Sequence, residues 1–199
     1  MSLIDFDSAK RDECKREAPA MEFSFDHLFP AHINFVGDPW EILSKHLGNI
    51  EQNSVINFWT FGRYAMHDVI NYLVRQIGPC SVSACTWAIT EKAVQTILHR
   101  MHDNLISDFR LWIDPRVKVR NPTPLAMCQS NFPVVISPVH AKVALLENEH
   151  WKISVSGSLN FTTNPQPERG VIQTFESVFN NDKKLFDDAF NGRSRKTDI

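Results

Sequence analysis

No run of apolar residues in this sequence approaches the length of a membrane span, which needs about 20 such residues in a helix. No membrane partner is expected. The first residues, Met1 to Asp7, are acidic and carry no apolar core of signal-peptide length, so a soluble cytoplasmic protein is expected. Cys14, Cys80, Cys85 and Cys128 include no Cys-x-x-Cys pair. That removes the usual zinc frameworks and leaves free thiols in a reducing compartment. Ser158 lies in Gly-Ser-Leu-Asn, not in the Gly-x-Ser-x-Gly elbow a serine hydrolase of that type would use. The formal net charge is only −2 over 199 residues, which argues against a broadly basic nucleic-acid binder. It leaves room for a local basic groove, because net charge averages over all faces.

What the chain does have is concentrated between Val139 and Gly170. Val-His-Ala-Lys-Val-Ala-Leu-Leu-Glu, then a short polar loop, then Trp-Lys-Ile-Ser-Val-Ser-Gly-Ser-Leu-Asn reads as a β-hairpin of two alternating strands. The period of two puts His140 and Lys142 on one face of the first strand. Ser154, Ser156, Ser158 and Asn160 share a face of the second. With Asn148-Glu149-His150 as the loop, Glu147 faces Trp151, Lys142 lies opposite Ser156 and His140 opposite Ser158. One face then carries an imidazole, an ammonium, hydroxyls and a carboxamide. A histidine is a nucleophile or proton carrier near neutral pH, and the others supply charge and donors for oxygens that gain charge in a transition state. The set suits attack on a phosphodiester, where positioning and charge stabilisation dominate.

His140-x-Lys142, an acid further along the strand, and Gly157-Ser158-x-Asn160-x-Thr162 resemble the signature of the phospholipase D superfamily. One copy is present and no internal repeat is visible, as in the small single-motif endonucleases of that superfamily. The resemblance implies that His140 attacks phosphorus to give a phosphohistidine, and that a second histidine protonates the leaving oxygen. It further implies that Lys142, Ser158 and Asn160 hold the phosphate while Glu168 orients His140. Two departures stand out: Glu147 occupies the position where the superfamily has Asp, and the step from it to Gly157 is about three residues longer. A longer hairpin loop absorbs the second, since loops tolerate insertion.

The remaining pattern is that of an α/β protein. Residues 1–53 read as an N-terminal extension, with a charged arm to about residue 25, a short strand at His32–Val36 and a short helix from Asp38-Pro39 to His46. Residues 54–199 read as a single domain, with the resemblance covering roughly residues 54–190. Strands are expected at Val55–Thr60 (buried), Ser81–Ile89, Phe109–Ile113, Val134–Leu146, Trp151–Ser158 and Val171–Phe175. Helices are expected at His67–Ile77, from Thr90 to Met101, and from Asn181 to Phe190, with Pro122 and Pro124 marking a linker and a possible short helix to Cys128. Alternating strands and helices followed by hairpin strands predict an α/β sandwich around a mixed sheet, in agreement with the phospholipase D fold.

Four further features bear on function. Arg116, Lys118 and Arg120 align if Val117–Val119 extends a strand, giving a stripe able to track a phosphate backbone. His99 and His102 are one turn apart, but without an evident acidic or cysteine partner they read as surface residues, and no metal or other cofactor is expected. His67-Asp68 reads as a helix start, and the five tryptophans as packing. Pro165 and Pro167 fix the path that aims Glu168 at His140. The combined expectation is a metal-independent phosphodiesterase, a nuclease on DNA, working as a homodimer that shares one active site and so supplies the second His140. Two other readings stand beside it: a non-catalytic nucleic-acid-binding module and a phospholipid-cleaving phosphodiesterase.

Overall fold

The computed structural model describes residues 39–192, so the expected arm and the strand at residues 32–36 lie outside the described part. In chain order the elements are α1 (Pro39–Leu47), β1 (Val55–Trp59), α2 (Met66–Ile77), β2 (Cys80–Thr86), α3 (Glu91–His102) and β3 (Ile106–Ile113). Then come α4 (Val117–Arg120), α5 (Pro122–Asn131), β4 (Val134–Ile136), β5 (Val143–Glu147), β6 (Lys152–Gly157), β7 (Arg169–Gln173) and α6 (Glu176–Phe190). The strands form one seven-stranded sheet in the order β1-β7-β6-β5-β2-β3-β4. Strands β2, β3 and β4 are mutually parallel and the other pairings antiparallel, which is the expected mixed α/β sheet.

Local chemistry sets the helix limits. Val69, Ile70, Leu73 and Val74 bury one face of α2. The Asp68 carboxylate accepts from Ala65 N at its start (2.9 Å), and Gly78, at φ 79°, ends it by donating to Val74 O. That left-handed position is one glycine takes without a Cβ penalty. Thr90 caps α3, its hydroxyl accepting from Ala93 N. The main core lies between one sheet face and the helices, with Val82, Ala84, Phe109 and Leu111 from the sheet meeting Leu73, Val94 and Ile97. Ile42, Leu43, Leu47 and Ile50 belong to that same cluster. Phe179 and Phe186 of α6 cover Cys85, Val139 and Leu145 in a second cluster.

Several expectations are corrected. β1 is an edge strand with Phe58 its one buried residue, rather than a buried strand, and Val55 and Trp59 stand about half exposed. The single strand expected over Val134–Leu146 is two strands, β4 and β5, with Pro138 in the connection, where its ring removes a ladder donor. Val117–Arg120 is a helical turn and not a strand extension. Asp114 turns the chain there, its Oδ1 accepting from Arg116 N (3.0 Å) and its carbonyl from Val117 N. The Pro122–Pro124 stretch is the first turn of α5, and α6 begins five residues before the expected Asn181.

The hairpin forms one register step away from the expected one. Glu147 pairs with Lys152, Val143 with Ser156, and Gly157 N donates to Lys142 O. The loop is four residues, closed by Asn148 Oδ1 accepting from His150 N and Trp151 N. One step transfers a whole strand face, so Ser154 and Ser156 lie beside Leu145 and Val143 on the α6 side, where the Ser154 hydroxyl donates to Asp182 (2.5 Å).

β6 and β7 meet at Gly157 opposite Gly170. A Cβ on Gly157 would stand 2.2 Å from Arg169 O, and one on Gly170 would stand 2.1 Å from the Phe58 ring. The motif glycine is thus required for close strand approach just before the chain leaves the sheet for Asn160. Gly170→Ala should destabilise the protein by about 1–3 kcal/mol through overpacking, seen as a lower denaturant midpoint at unchanged m-value. An unchanged midpoint would show that Phe58 yields freely.

Candidate active site

The chemistry-bearing residues collect at the sheet end where β2 and β3 finish and β5 begins. His140 and Lys142 lie in the extended segment just ahead of β5, not within the strand. His140 is exposed, its ring tilted against Trp87 with centroids 6.0 Å apart. Lys142 is buried, and its Nζ donates to His140 O (2.8 Å) and lies 5.8 Å from the Trp87 ring centroid. Arg116 and Arg120 each place a guanidinium carbon 4.7 Å from the same centroid. Trp87 is therefore the common neighbour of three cations and the motif histidine.

Asn160 arrives by a loop, since the hairpin register does not bring it. Beyond Gly157 the segment Leu159–Phe161 threads between two helix starts. Met66 N donates to Asn160 O, Phe161 N to Ala88 O, and Thr90 N to Phe161 O. The Asn160 Oδ1 accepts from the Thr86 hydroxyl (3.2 Å), one residue from Trp87. That bond orients the carboxamide so that its NH₂ remains for a substrate oxygen. Glu168 is buried at the start of β7, with Oε1 accepting from Asn164 (3.4 Å) and Oε2 without a partner. Gln166 N donates to Asn164 Oδ1, so the proline-flanked turn is itself pinned by the residue that holds Glu168.

Burial governs the electrostatics. Desolvation lowers the Lys142 pKa, Cys85 and Glu168 oppose that shift, and Arg116 adds to it. Desolvation raises the Glu168 pKa, against the Asn164 hydrogen bond and the Lys142 charge. Asp114 is held well below the usual carboxylate range, first by the side-chain bonds from Arg116 (2.6 and 3.1 Å) and then by the Arg116 and Val139 amides. Among the described residues no carboxylate comes within ion-pair distance of Lys142 or Arg120.

Of the residues singled out from sequence, His140, Lys142, Arg116 and Arg120 gather at Trp87, Asn160 joins through Thr86, and Glu168 interacts electrostatically with Lys142. Ser158 is exposed and tied to β7, its hydroxyl accepting from Arg169 N (3.2 Å) and its amide donating to Arg169 O. Lys118 is exposed on α4, so the strand-borne stripe of Arg116, Lys118 and Arg120 does not form; the two arginines meet at the indole instead. Glu147 pairs with Lys152 and Lys183 at the far end of β5. Glu in place of Asp therefore alters no group that touches His140. His99 does have an acidic neighbour, Asp103 at 3.7 Å, yet no group of three potential metal ligands occurs among the described residues.

Three residues escaped the sequence reading as site components. Trp87, which reads from the sequence as packing, directly follows the carboxyl end of β2, where open α/β sheets bind ligands. Thr86 orients Asn160. His67 is buried, stacked on Phe161 at 6.5 Å between centroids, with neither ring nitrogen hydrogen-bonded and Nε2 3.6 Å from Asp68 Oδ1. Asp68 alone performs the helix-start role expected of the pair.

No protein-family profile matches the sequence, and no curated protein matches it. Solved structures do match. NucT from Helicobacter pylori superposes with a TM-score of 0.51 at 14% identity, over 69% of this chain and 97% of NucT. A polyphosphate kinase from Porphyromonas gingivalis superposes with a TM-score of 0.55 at 16% identity, over 79% of this chain but 30% of the kinase. The chain has the phospholipase D fold.

Burial lowers the His67 pKa, with Lys92 adding to the effect and Asp68 opposing it. Between the lowered folded value and the ordinary one near about 6.5, the unfolded chain binds more protons, so stability falls as pH drops. His67→Phe should flatten that acid limb while leaving the slope above neutrality unchanged, as read from denaturant midpoints across pH. An unaltered limb would place the titration elsewhere.

Proposed function

We propose that the protein is a metal-independent phosphodiesterase, a nuclease acting on DNA through a phosphohistidine on His140. The observation that carries this reading is Lys142: a buried ammonium bonded to the backbone carbonyl of the exposed motif histidine, with no carboxylate at ion-pair distance among the described residues. A cation taken out of water and only partly compensated is set to receive an anion. The Asn160 side-chain oxygen is held by the Thr86 hydroxyl, which leaves its amide donors for a ligand. DNA as substrate rests on the single motif, which resembles that of the superfamily's endonucleases. Among the described residues no helix is long and apolar enough to cross a membrane.

In the first step a His140 nitrogen attacks phosphorus, the bond to the leaving oxygen breaks, and a second imidazole protonates that oxygen. Water then attacks the phosphohistidine, giving its proton back to the second imidazole as the bond to His140 breaks. Lys142, Ser158 and Asn160 hold the phosphoryl oxygens, and Glu168 supports the histidine. His67 is buried at a helix start, where positive charge is disfavoured, and so makes a poor acid. The partner subunit's His140, brought by a two-fold axis, is the second imidazole.

Cleavage should survive a chelator; loss that is reversed by added metal would refute the metal-independent route. Lys142→Met should lower turnover by about 10² or more. It should leave stability equal or higher, since desolvation already disfavours the charged form. Near-normal turnover would favour a non-catalytic binding module. The shared site is tested by exchanging wild-type chains with His140→Ala chains. Half-and-half mixing should leave about a quarter of the activity under random pairing, against about a half for independent sites. A linear fall with the wild-type fraction after proven exchange would refute the shared site.

A further inference from the structure

A cleft of about 450 Å³ opens between the start of α3 and the α4–α5 junction, with Glu91, Lys92, Arg120, Asn121 and Thr123 in its wall. That volume lies in the range that takes small organic groups and is too small for a duplex. Arg120 belongs both to this wall and to the cation cluster on Trp87, so the cleft adjoins the candidate active site through that one side chain. Lys92 adds a second exposed cation, and among the described residues neither it nor Arg120 has an ion-pair partner. The Asn121 carboxamide and Thr123 hydroxyl make no hydrogen bond within the described chain, whereas the Thr90 hydroxyl is committed to Phe161 O and Ala93 N. Glu91 is the one acid in the wall.

We propose that this cleft is a binding track for a single strand of nucleic acid, seating the nucleotide next to the one being cleaved. Lys92 takes its flanking phosphate. The Arg120 guanidinium, held against the indole, provides a cationic surface on which a base can stack, the combination of charge and aromatic support that single strands use. Asn121 and Thr123 are free to meet sugar or base edges. The opposing charge of Glu91 limits affinity, which lets product leave. This inference rests on the phosphodiesterase reading for the identity of the neighbouring site.

The test is binding of a labelled single-stranded oligonucleotide to the full chain carrying His140→Ala, titrated across salt, with turnover of a chromogenic phosphodiester by the His140 protein measured alongside. Lys92→Ala should weaken oligonucleotide binding several-fold and lower the slope of log affinity against log salt by about 0.7, one single-strand phosphate contact. Glu91→Gln should tighten binding several-fold. Turnover of the small diester, which is too short to enter the cleft, should be unchanged by either substitution. Duplex of the same sequence, and inorganic polyphosphate of equal charge, should both bind more weakly than the single strand. Unchanged affinity and slope in both variants would overturn the track while leaving diester turnover, and with it the nuclease reading, intact. Duplex or polyphosphate binding as well as the single strand would overturn the assignment of the occupant. Salt-dependent binding that responds to both substitutions, in a protein that turns over no diester, would uphold the track and refute the nuclease reading instead.

Discussion

The arrangement at the sheet edge depends on one buried cation. Lys142 lies inside the protein surface, bonded through Nζ to the carbonyl of His140, with Glu168 acting on it electrostatically and Trp87 beside it. Taking an ammonium out of water is costly unless it is paired, and no carboxylate of the described chain closes a salt bridge on it. The bond from Lys142 also fixes the backbone of His140, whose ring lies against Trp87. A charge left this way costs stability that an anion bound beside it would restore.

The fold presents this cation from a strand end with little help from the strand itself. The parallel strands β2 and β3 deliver Thr86, Trp87 and Asp114 to one end of the sheet, and antiparallel β5 starts at that end directly after Lys142. The Gly157–Gly170 approach draws β6 and β7 together just where the chain departs for Asn160. From there backbone bonds to the starts of α2 and α3 carry the position. Asp114 contributes by holding Arg116 and by turning the chain into α4, which brings Arg120 to the same indole.

Much of this was legible in the residues. Alternation marked the hairpin, the spacing of Val69, Ile70, Leu73 and Val74 marked α2, and Thr90 marked the start of α3. The His-x-Lys and Gly-Ser-x-Asn pairs pointed to the fold that the structure has. The hairpin register was not legible from alternation alone, because three- and four-residue loops both join such strands. Asn148 was the local clue, since its side chain closes the four-residue loop. Asp114-Pro115 likewise signalled a turn into helix at Val117, but the alternating Arg116, Lys118 and Arg120 read as a strand. Trp87 stayed hidden for a different reason. Its role comes from four side chains that converge on it from two separate segments, and no local pattern encodes that convergence.

The central claim is that His140 forms a bond to phosphorus. The most direct measurement is the stereochemical course of cleavage, using an oligonucleotide with a single chiral phosphorothioate in isotopically labelled water. Two successive displacements, one by His140 and one by water, predict retention of configuration at phosphorus. Inversion would mean that water attacks directly and that His140 serves only as a proton carrier or a binding group, which would contradict the account.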